Sequence, residues 1–209
     1  DHGLNVPAEL EGIANFARDG AQEWVFAQGQ DRIAKLYHYK TRDFSLGTAA
    51  HYRWNEWGYQ ETVLHLRLGR NPDAQIWLNH PGETIHSGYG RPSFWGGSGT
   101  LPRVHQYRAL AVALFDCADE QPDFTHVWFP QGAFDQTLVE GDLAFARSGG
   151  GVAMLKADKP FEPVSRGPTA GDELRVPGRK AVWIVRLAGG ADDIAPVAGR
   201  YQAMTTRLE

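Results

Sequence analysis

Two histidines in this sequence could supply a general base. His80 ends an apolar run just before a proline and a glycine, and His105 begins a second apolar run. Imidazole takes up and releases protons near neutral pH, which suits proton abstraction from a substrate carbon. We rank His80 first, because a base at the end of a rigid strand keeps its geometry. Tyr89 could protonate a leaving oxygen. Each histidine could instead be a hydrogen-bonded structural residue.

Arg91 and Arg103 could each hold a substrate carboxylate. A planar guanidinium binds a carboxylate through two parallel hydrogen bonds, which an ammonium group cannot reproduce. Asn79, next to His80, could assist by donating from its amide. The alternative for each arginine is a contact that braces a loop. These residues flank a segment rich in glycine and proline, the kind of connection on which sites are often built.

An aromatic cluster lies in residues 51–61, which include Trp54 and Trp57. Two interpretations stay open for it. The rings could form an aromatic corner packed on the edge of a sandwich. They could also form a platform for sugar, because indole rings combine apolar faces with a polar edge that stays in water. Trp95 could extend such a platform from the neighbouring loop.

Metal and cofactor sites are not indicated by the sequence. None of the eight histidines lies in a His-Glu-x-x-His motif, and a single cysteine, Cys117, rules out a paired-cysteine site. Phosphate-binding loops, dinucleotide fingerprints and the Gly-x-Ser-x-Gly elbow are also missing. We therefore predict no metal and no cofactor.

The elements that must position these residues are mostly strands. Abundant glycine (24) and proline (12), together with 24 aromatic residues (7 Trp, 7 Tyr and 10 Phe), favour an all-β fold. We predict a large antiparallel β-sandwich of two stacked, twisted sheets. The predicted strands are 31–40, 43–50, 60–68, 74–80, 104–116, 124–129, 134–139, 143–147, 151–157, 172–176 and 181–187.

Strands 60–68 and 74–80 predict a hairpin with one register. Apolar residues alternate in both strands, and the segment 69–73 between them has the composition of a turn. A slip of one residue would spoil every apolar pair, so the register is well determined. The same register places Trp77 opposite His65 on the other face. The apolar pairs are Leu68 with Ala74, Leu66 with Ile76, and Leu64 with Leu78.

Residues 7–19 predict a short helix, since Pro7 suits a first turn and Leu10, Ile13 and Phe16 fall on one stripe. We divide the chain into a helical lead-in, 1–29, and a sandwich domain, 30–209. Residues 81–102 predict a long loop. Its aromatic residues favour an ordered, functional loop that lines a concave surface with the Trp54–Trp57 segment.

Several classes of partner are disfavoured. The net charge is -4 and no run of basic residues could follow a phosphate backbone, so we predict no nucleic-acid partner. No apolar stretch approaches the roughly 20 residues that span a bilayer, so we expect a soluble chain with no membrane partner. The sequence leaves the compartment open, either cytoplasmic or periplasmic and secreted after loss of a signal.

The segment 58–82, GYQETVLHLRLGRNPDAQIWLNHPG, resembles the β-sandwich region of heparinase II/III-like polysaccharide lyases. In that family an entry bearing glycine and histidine leads into a strand, a turn, a second strand and an Asp-Pro-Gly-like end. Here the entry is Tyr59-Gln60-Glu61 in place of a His-x-His-x-Asp-like pattern, and the end is Asn79-His80-Pro81-Gly82. The resemblance implies a polysaccharide or oligosaccharide partner, and a helical toroid domain or chain that completes the site.

Two classes of function follow as hypotheses. The first is a lyase that cleaves uronic-acid polysaccharide by β-elimination, with Asn79, Arg91 or Arg103 on the carboxylate and His80 or His105 as base. Its close variant is a glycoside hydrolase that uses Glu56, Glu61 or Glu83. The second class is a binding or structural module, with Trp54, Trp57 and Trp95 as a sugar-binding face or an interface.

Overall fold

The structure is a computed structural model that describes residues 20–30, 33–50, 52–84, 90–118 and 122–205. Within these ranges the chain forms fourteen strands in two antiparallel sheets, which confirms the predicted all-β sandwich. The predicted helix 7–19 lies outside the described residues, as does Tyr89. Short helical segments are a 3-10 turn at Gln131–Ala133 and helix α1 at Ala195–Thr205.

The longest connections between successive strands are residues 51–63 and 80–102. In chain order the strands are β1 (Gln22–Gln28), β2 (Ala34–Lys40), β3 (Phe44–Ala50), β4 (Leu64–Leu68), β5 (Gln75–Asn79), β6 (Arg103–Tyr107), β7 (Leu110–Asp116), β8 (Phe124–Trp128), β9 (Gln136–Glu140), β10 (Leu143–Ser148), β11 (Gly151–Ala157), β12 (Glu162–Pro163), β13 (Glu173–Pro177) and β14 (Lys180–Ala188). The larger sheet has the spatial order β1-β2-β3-β4-β5-β8-β13-β12, and the smaller has the order β6-β7-β14-β11-β10-β9.

The β4–β5 hairpin has the predicted register. His65 pairs with Trp77 and Leu66 with Ile76, and the Leu68 amide donates to the Ala74 carbonyl at 2.9 Å. The alternation of the sequence decides this arrangement, because the apolar side chains of both strands are fully buried between the sheets. Position 79, at the end of β5, is thereby fixed on the outer face.

The core fills the space between the inner faces of the two sheets. Trp183 is the largest fully buried side chain, and its indole nitrogen donates to the Thr125 hydroxyl at 2.8 Å. A buried polar contact joins β3 to β6, where the Thr48 hydroxyl donates to Gln106 Oε1 at 2.7 Å. Buried polar groups are stable when they are paired, so both contacts bind the two sheets together in one arrangement.

Helix α1 covers part of the outer face of the smaller sheet. Its Val197 and Ala198 pack with Ile194 against outward-facing side chains of β10 and β11, among them Phe145 and Met154. The sequence analysis did not predict this helix. Its hydrophobic contacts are with residues far away in the chain, so the segment carries little helical signal of its own.

Two boundaries differ from the prediction. The single strand predicted at 104–116 is wrong: this segment is the hairpin β6–β7, which turns at Arg108 with a φ of 50°. The turn escapes notice because arginine rarely adopts the left-handed region, where glycine or asparagine is usual. Residues 22–28, which we placed in the helical lead-in 1–29, form the edge strand β1 of the larger sheet.

Candidate functional site

Three exposed aromatic rings stand out on the connection between β3 and β4. Trp54, Trp57 and Tyr59 are 44%, 48% and 54% exposed, which is unusual for rings of this size. The guanidinium of Arg103 lies 4.1 Å from the centre of the Trp54 ring, and that of Arg53 lies 5.4 Å from the Trp57 ring. Trp57 and Tyr59 are 5.7 Å apart. We call these five residues the Trp54 surface.

The backbone holds this connection against the end of the long loop. The Asn55 amide donates to the Leu101 carbonyl at 3.0 Å, and the Leu101 amide donates to the Glu56 carbonyl at 2.7 Å. Gly58 and Ser98 exchange two further bonds of 2.7 and 2.9 Å. A Cβ atom at Gly58 would lie 2.8 Å from a methyl carbon of Leu101, so a larger residue there would force the buried Leu101 side chain to shift. The two segments predicted to share a surface are therefore in direct contact.

The acidic residues of the connection are engaged as structural partners. Arg53 pairs with Glu56 at 3.1 Å and with Glu61 at 3.6 Å, and the Tyr52 hydroxyl donates to Glu61 at 2.9 Å. Burial raises the pKa of Glu61, but hydrogen bonds from backbone amides and from Tyr52 outweigh it, so the pKa is lowered. A general acid needs the opposite shift, which weighs against Glu61 as the acid of a hydrolase.

The candidates at the end of β5 lie beneath the loop. Asn79 is buried, and its side-chain nitrogen donates to the Gly97 carbonyl at 2.7 Å. His80 is fully buried; its Nε2 donates to the Pro122 carbonyl at 2.8 Å, and its backbone amide donates to Ser98 Oγ at 3.1 Å. Burial lowers the pKa of His80 to about 4. The Asn79 side chain and the His80 backbone hold the loop from below, whereas the His80 ring is bonded to the connection between β7 and β8. Both side chains are turned away from solvent.

The candidates at the start of β6 lie in the open. Arg103 and His105 are two residues apart on an edge strand, both exposed, and the alternation of the strand points them to the same side. Arg103 also contacts Trp54. The structure thus places Arg103 against Trp54 and places His105 on the strand that carries Arg103.

The remaining candidates belong to the loop itself. Arg91 is exposed and donates to the carbonyl of Gly90 at 2.8 Å. Trp95 is half-buried and stacks on His126, with 3.9 Å between ring centres and 9° between planes. Glu83 accepts a hydrogen bond from the Gly90 amide at 2.8 Å. The loop is therefore fastened to the outer face of the larger sheet through a stacked ring pair.

A buried charge network supports that stack, and the sequence analysis did not find it. Glu173 accepts hydrogen bonds from His126 at 3.0 Å, Arg175 at 2.6 Å and Thr169 at 2.6 Å. Burial raises the pKa of Glu173, but these three donors outweigh it and lower the pKa to about 2. Burial, in turn, lowers the pKa of His126. The pairing of β8 with β13 joins residues 47 positions apart, which no local pattern reveals.

No protein-family model, curated protein or solved structure gives a significant match to this chain. The described part of the chain contains no group of three or more His, Cys, Asp or Glu side chains arranged to hold a metal ion. No helix in the same residues is long and apolar enough to cross a membrane. The function is therefore argued from the geometry of the surfaces.

Proposed function

We propose that this chain is the carbohydrate-binding β-sandwich of a polysaccharide-degrading enzyme and that the Trp54 surface contacts the sugar. The observation that carries the proposal is the exposure of Trp54, Trp57 and Tyr59 on one connection between strands, with an arginine at each indole ring. Contiguous exposed rings with a polar rim mark binding sites on soluble proteins. Aromatic faces suit the apolar C–H face of a sugar ring, and the guanidinium groups suit its oxygens.

The reaction we propose is β-elimination in a uronic-acid polysaccharide. Arg103 would neutralise the carboxylate, which makes the neighbouring C5 proton more acidic. His105 would take that proton, the C4–C5 double bond would form as the C4–O bond breaks, and the leaving oxygen would take up a proton. The sequence assigns this last proton to Tyr89. Exposure and the shared side of β6 favour His105 over His80, whose ring is enclosed and bonded to Pro122. The resemblance of segment 58–82 to heparinase II/III-like lyases supports the same class of reaction.

Binding is tested with the double variant Trp54→Ala/Trp57→Ala against uronic-acid oligosaccharides. We expect the Kd to rise about 5- to 150-fold, since two rings at about 0.5–1.5 kcal/mol each contribute about 1–3 kcal/mol. The matched control is Leu138→Ala, which removes a side chain 37% exposed on β9, the edge strand of the smaller sheet farthest from β6. An unchanged Kd in the double variant, with wild-type binding intact, would contradict the assignment of this surface.

Chemistry is tested with the wild-type chain and a uronic-acid polymer. Elimination leaves a double bond conjugated to the carboxylate, which absorbs ultraviolet light, whereas hydrolysis leaves none. Growth of this absorbance supports the lyase. New reducing ends without absorbance would support a hydrolase, and binding without product would support the alternative of a non-catalytic module.

A further inference from the structure

A row of rings crosses the outer face of the larger sheet, away from the Trp54 surface. Strand pairing places one residue from each of six neighbouring strands in line: Trp24, His38, Gly47, His65, Trp77 and Trp128. All of these face away from the core, because Leu46, Leu66 and Ile76 beside them point inward. We call the five ring-bearing residues the ring row.

The rings of the row contact one another in two groups, one on each side of Gly47. Trp77 stacks on Trp128 at 5.3 Å with 17° between planes, and His65 lies 6.4 Å from Trp77 on its other side. Trp24 meets His38 edge-on at 5.6 Å. The row spans five strand spacings, or roughly 24 Å, since neighbouring strands lie about 4.8 Å apart. Trp24 is 42% exposed and the other rings are half-buried, so a long aromatic strip reaches the surface.

A second line of residues runs beside the ring row. Each of its residues lies two positions from the ring-row position of the same strand, and strand pairing again places them in line. The residues are polar: Gln22, Lys40, Ser45, Arg67 and Gln75. We call it the polar row. Across the outward positions of β1 to β5 and β8, the charged side chains are Lys40 and Arg67, and both are cationic. Burial lowers the pKa of His38 and of His65, so the positive charge belongs to the polar row.

The chain as a whole is acidic, with a net charge of -4. A strip free of outward carboxylates and lined by two cations is therefore a local exception, and it is complementary to an anionic ligand. Its length suits an extended polymer lying across the strands. Amide, hydroxyl and cationic groups on one side with apolar rings on the other match the hydroxyls, carboxylates and C–H faces of an acidic sugar.

We propose that the ring row and the polar row together form a second binding surface, for an acidic polysaccharide that runs across the larger sheet. The class of ligand rests on the proposed function, whereas the surface is separate from the Trp54 surface. Trp95 of the long loop lies against one end of the ring row, since it makes edge contacts with Trp77 at 6.1 Å and with Trp128 at 5.5 Å.

The test measures binding of the chain to polygalacturonate and to alginate, with neutral dextran for comparison, at several salt concentrations. Lys40→Gln/Arg67→Gln should raise the Kd for the acidic polymers about 2- to 20-fold and flatten its salt dependence, the scale of two exposed ion pairs. Lys180→Gln/Arg186→Gln is the matched control, because it removes the same charge from β14 on the other sheet. We expect it to change the Kd less than twofold.

Trp77→Ala should raise the same Kd about 2- to 10-fold, and Trp77→Phe should restore most of the loss, because it keeps a ring in the row. Should Trp77→Ala fail to fold, the exposed Trp24→Ala replaces it. Binding that is lost in Trp54→Ala/Trp57→Ala but unchanged in every row variant would overturn this surface and leave the proposed function intact. Equal weakening by the two double charge variants would also overturn it. A wild-type chain that binds neither acidic polymer would overturn the proposed function and this ligand class together.

Discussion

Two strand ends carry the candidate chemistry, and the structure treats them in opposite ways. At the end of β5, Asn79 and His80 lie under the long loop and hold it through hydrogen bonds to Gly97 and Ser98. The His80 ring is enclosed there by its bond to Pro122, between β7 and β8. At the start of β6, Arg103 and His105 lie on an exposed edge strand. A rigid strand end fixes the geometry of a side chain, but the next connection decides whether a ligand can reach it. Rigidity of the backbone therefore favours His80 as the catalytic base, whereas accessibility to a ligand favours His105.

The largest effect we expect is on turnover at the open strand end. His105→Ala should lower the rate of elimination about 10²- to 10⁴-fold while leaving the Kd for substrate nearly unchanged, because general base catalysis acts on the chemical step. The measurement is ultraviolet absorbance of the product at saturating substrate, in the complete enzyme. Wild-type turnover in a folded His105→Ala variant would break the assignment and return attention to the enclosed ring of His80.

The loop that covers the end of β5 is held by the stack of Trp95 on His126, and Glu173 pairs with His126. The next largest effect that we expect is therefore on the free energy of unfolding. Glu173→Ala should lower the free energy of unfolding by about 3–5 kcal/mol, because it leaves buried partners of the carboxylate unpaired. Glu61→Ala, whose carboxylate is 31% exposed, should cost under about 1 kcal/mol. Both are measured by denaturant unfolding. Similar losses in the two variants would show that the buried network supports the loop no more than the surface pair does.

The burial of His80 also predicts how the free energy of unfolding depends on pH. The folded pKa of His80 is lowered to about 4 from a reference value of 6.5, so between these values the unfolded chain binds more protons. Stability from this ring is present above the unfolded pKa and is lost as pH falls to about 4, on the order of 3 kcal/mol. Unfolding measured from pH 7 to 4 should show a shallower fall in His80→Gln than in the wild type.

The control for this measurement is Ser98→Ala. It removes the hydroxyl that accepts from the His80 backbone amide but leaves the titrating ring in place. We expect it to lower stability by a similar amount at every pH and to keep the wild-type slope. An equally shallow slope in Ser98→Ala would mean that His80 is not the source of the acid sensitivity.

Much of the fold could be predicted because its signals are local. The alternation of Leu64, Leu66 and Leu68 decided the β4–β5 register, and the aromatic residues of 81–102 indicated a loop with partners. The burial of His80 could not be predicted, because it depends on where that loop folds back. The Glu173 network and the ring row also escaped, since both depend on strands paired across long stretches of sequence. Within each strand these residues form no recognisable pattern, and the two arrangements arise only when the strands pair.

The smallest effect we expect concerns Arg103, where the open strand end meets the aromatic connection. Arg103→Lys keeps the charge but loses the planar group that lies 4.1 Å from the Trp54 ring and that could grip a carboxylate at two points. The Kd for a uronic-acid oligosaccharide should rise about 2- to 5-fold, in line with about 0.5–1 kcal/mol for an exposed cation–π contact. Arg91→Lys is the matched control, because Arg91 is also exposed but donates to the Gly90 carbonyl of its own loop. A larger effect at Arg91 than at Arg103 would assign the carboxylate site to the loop instead of the start of β6. His105 would then have no carboxylate-binding arginine beside it on β6, which would weaken its assignment as the base.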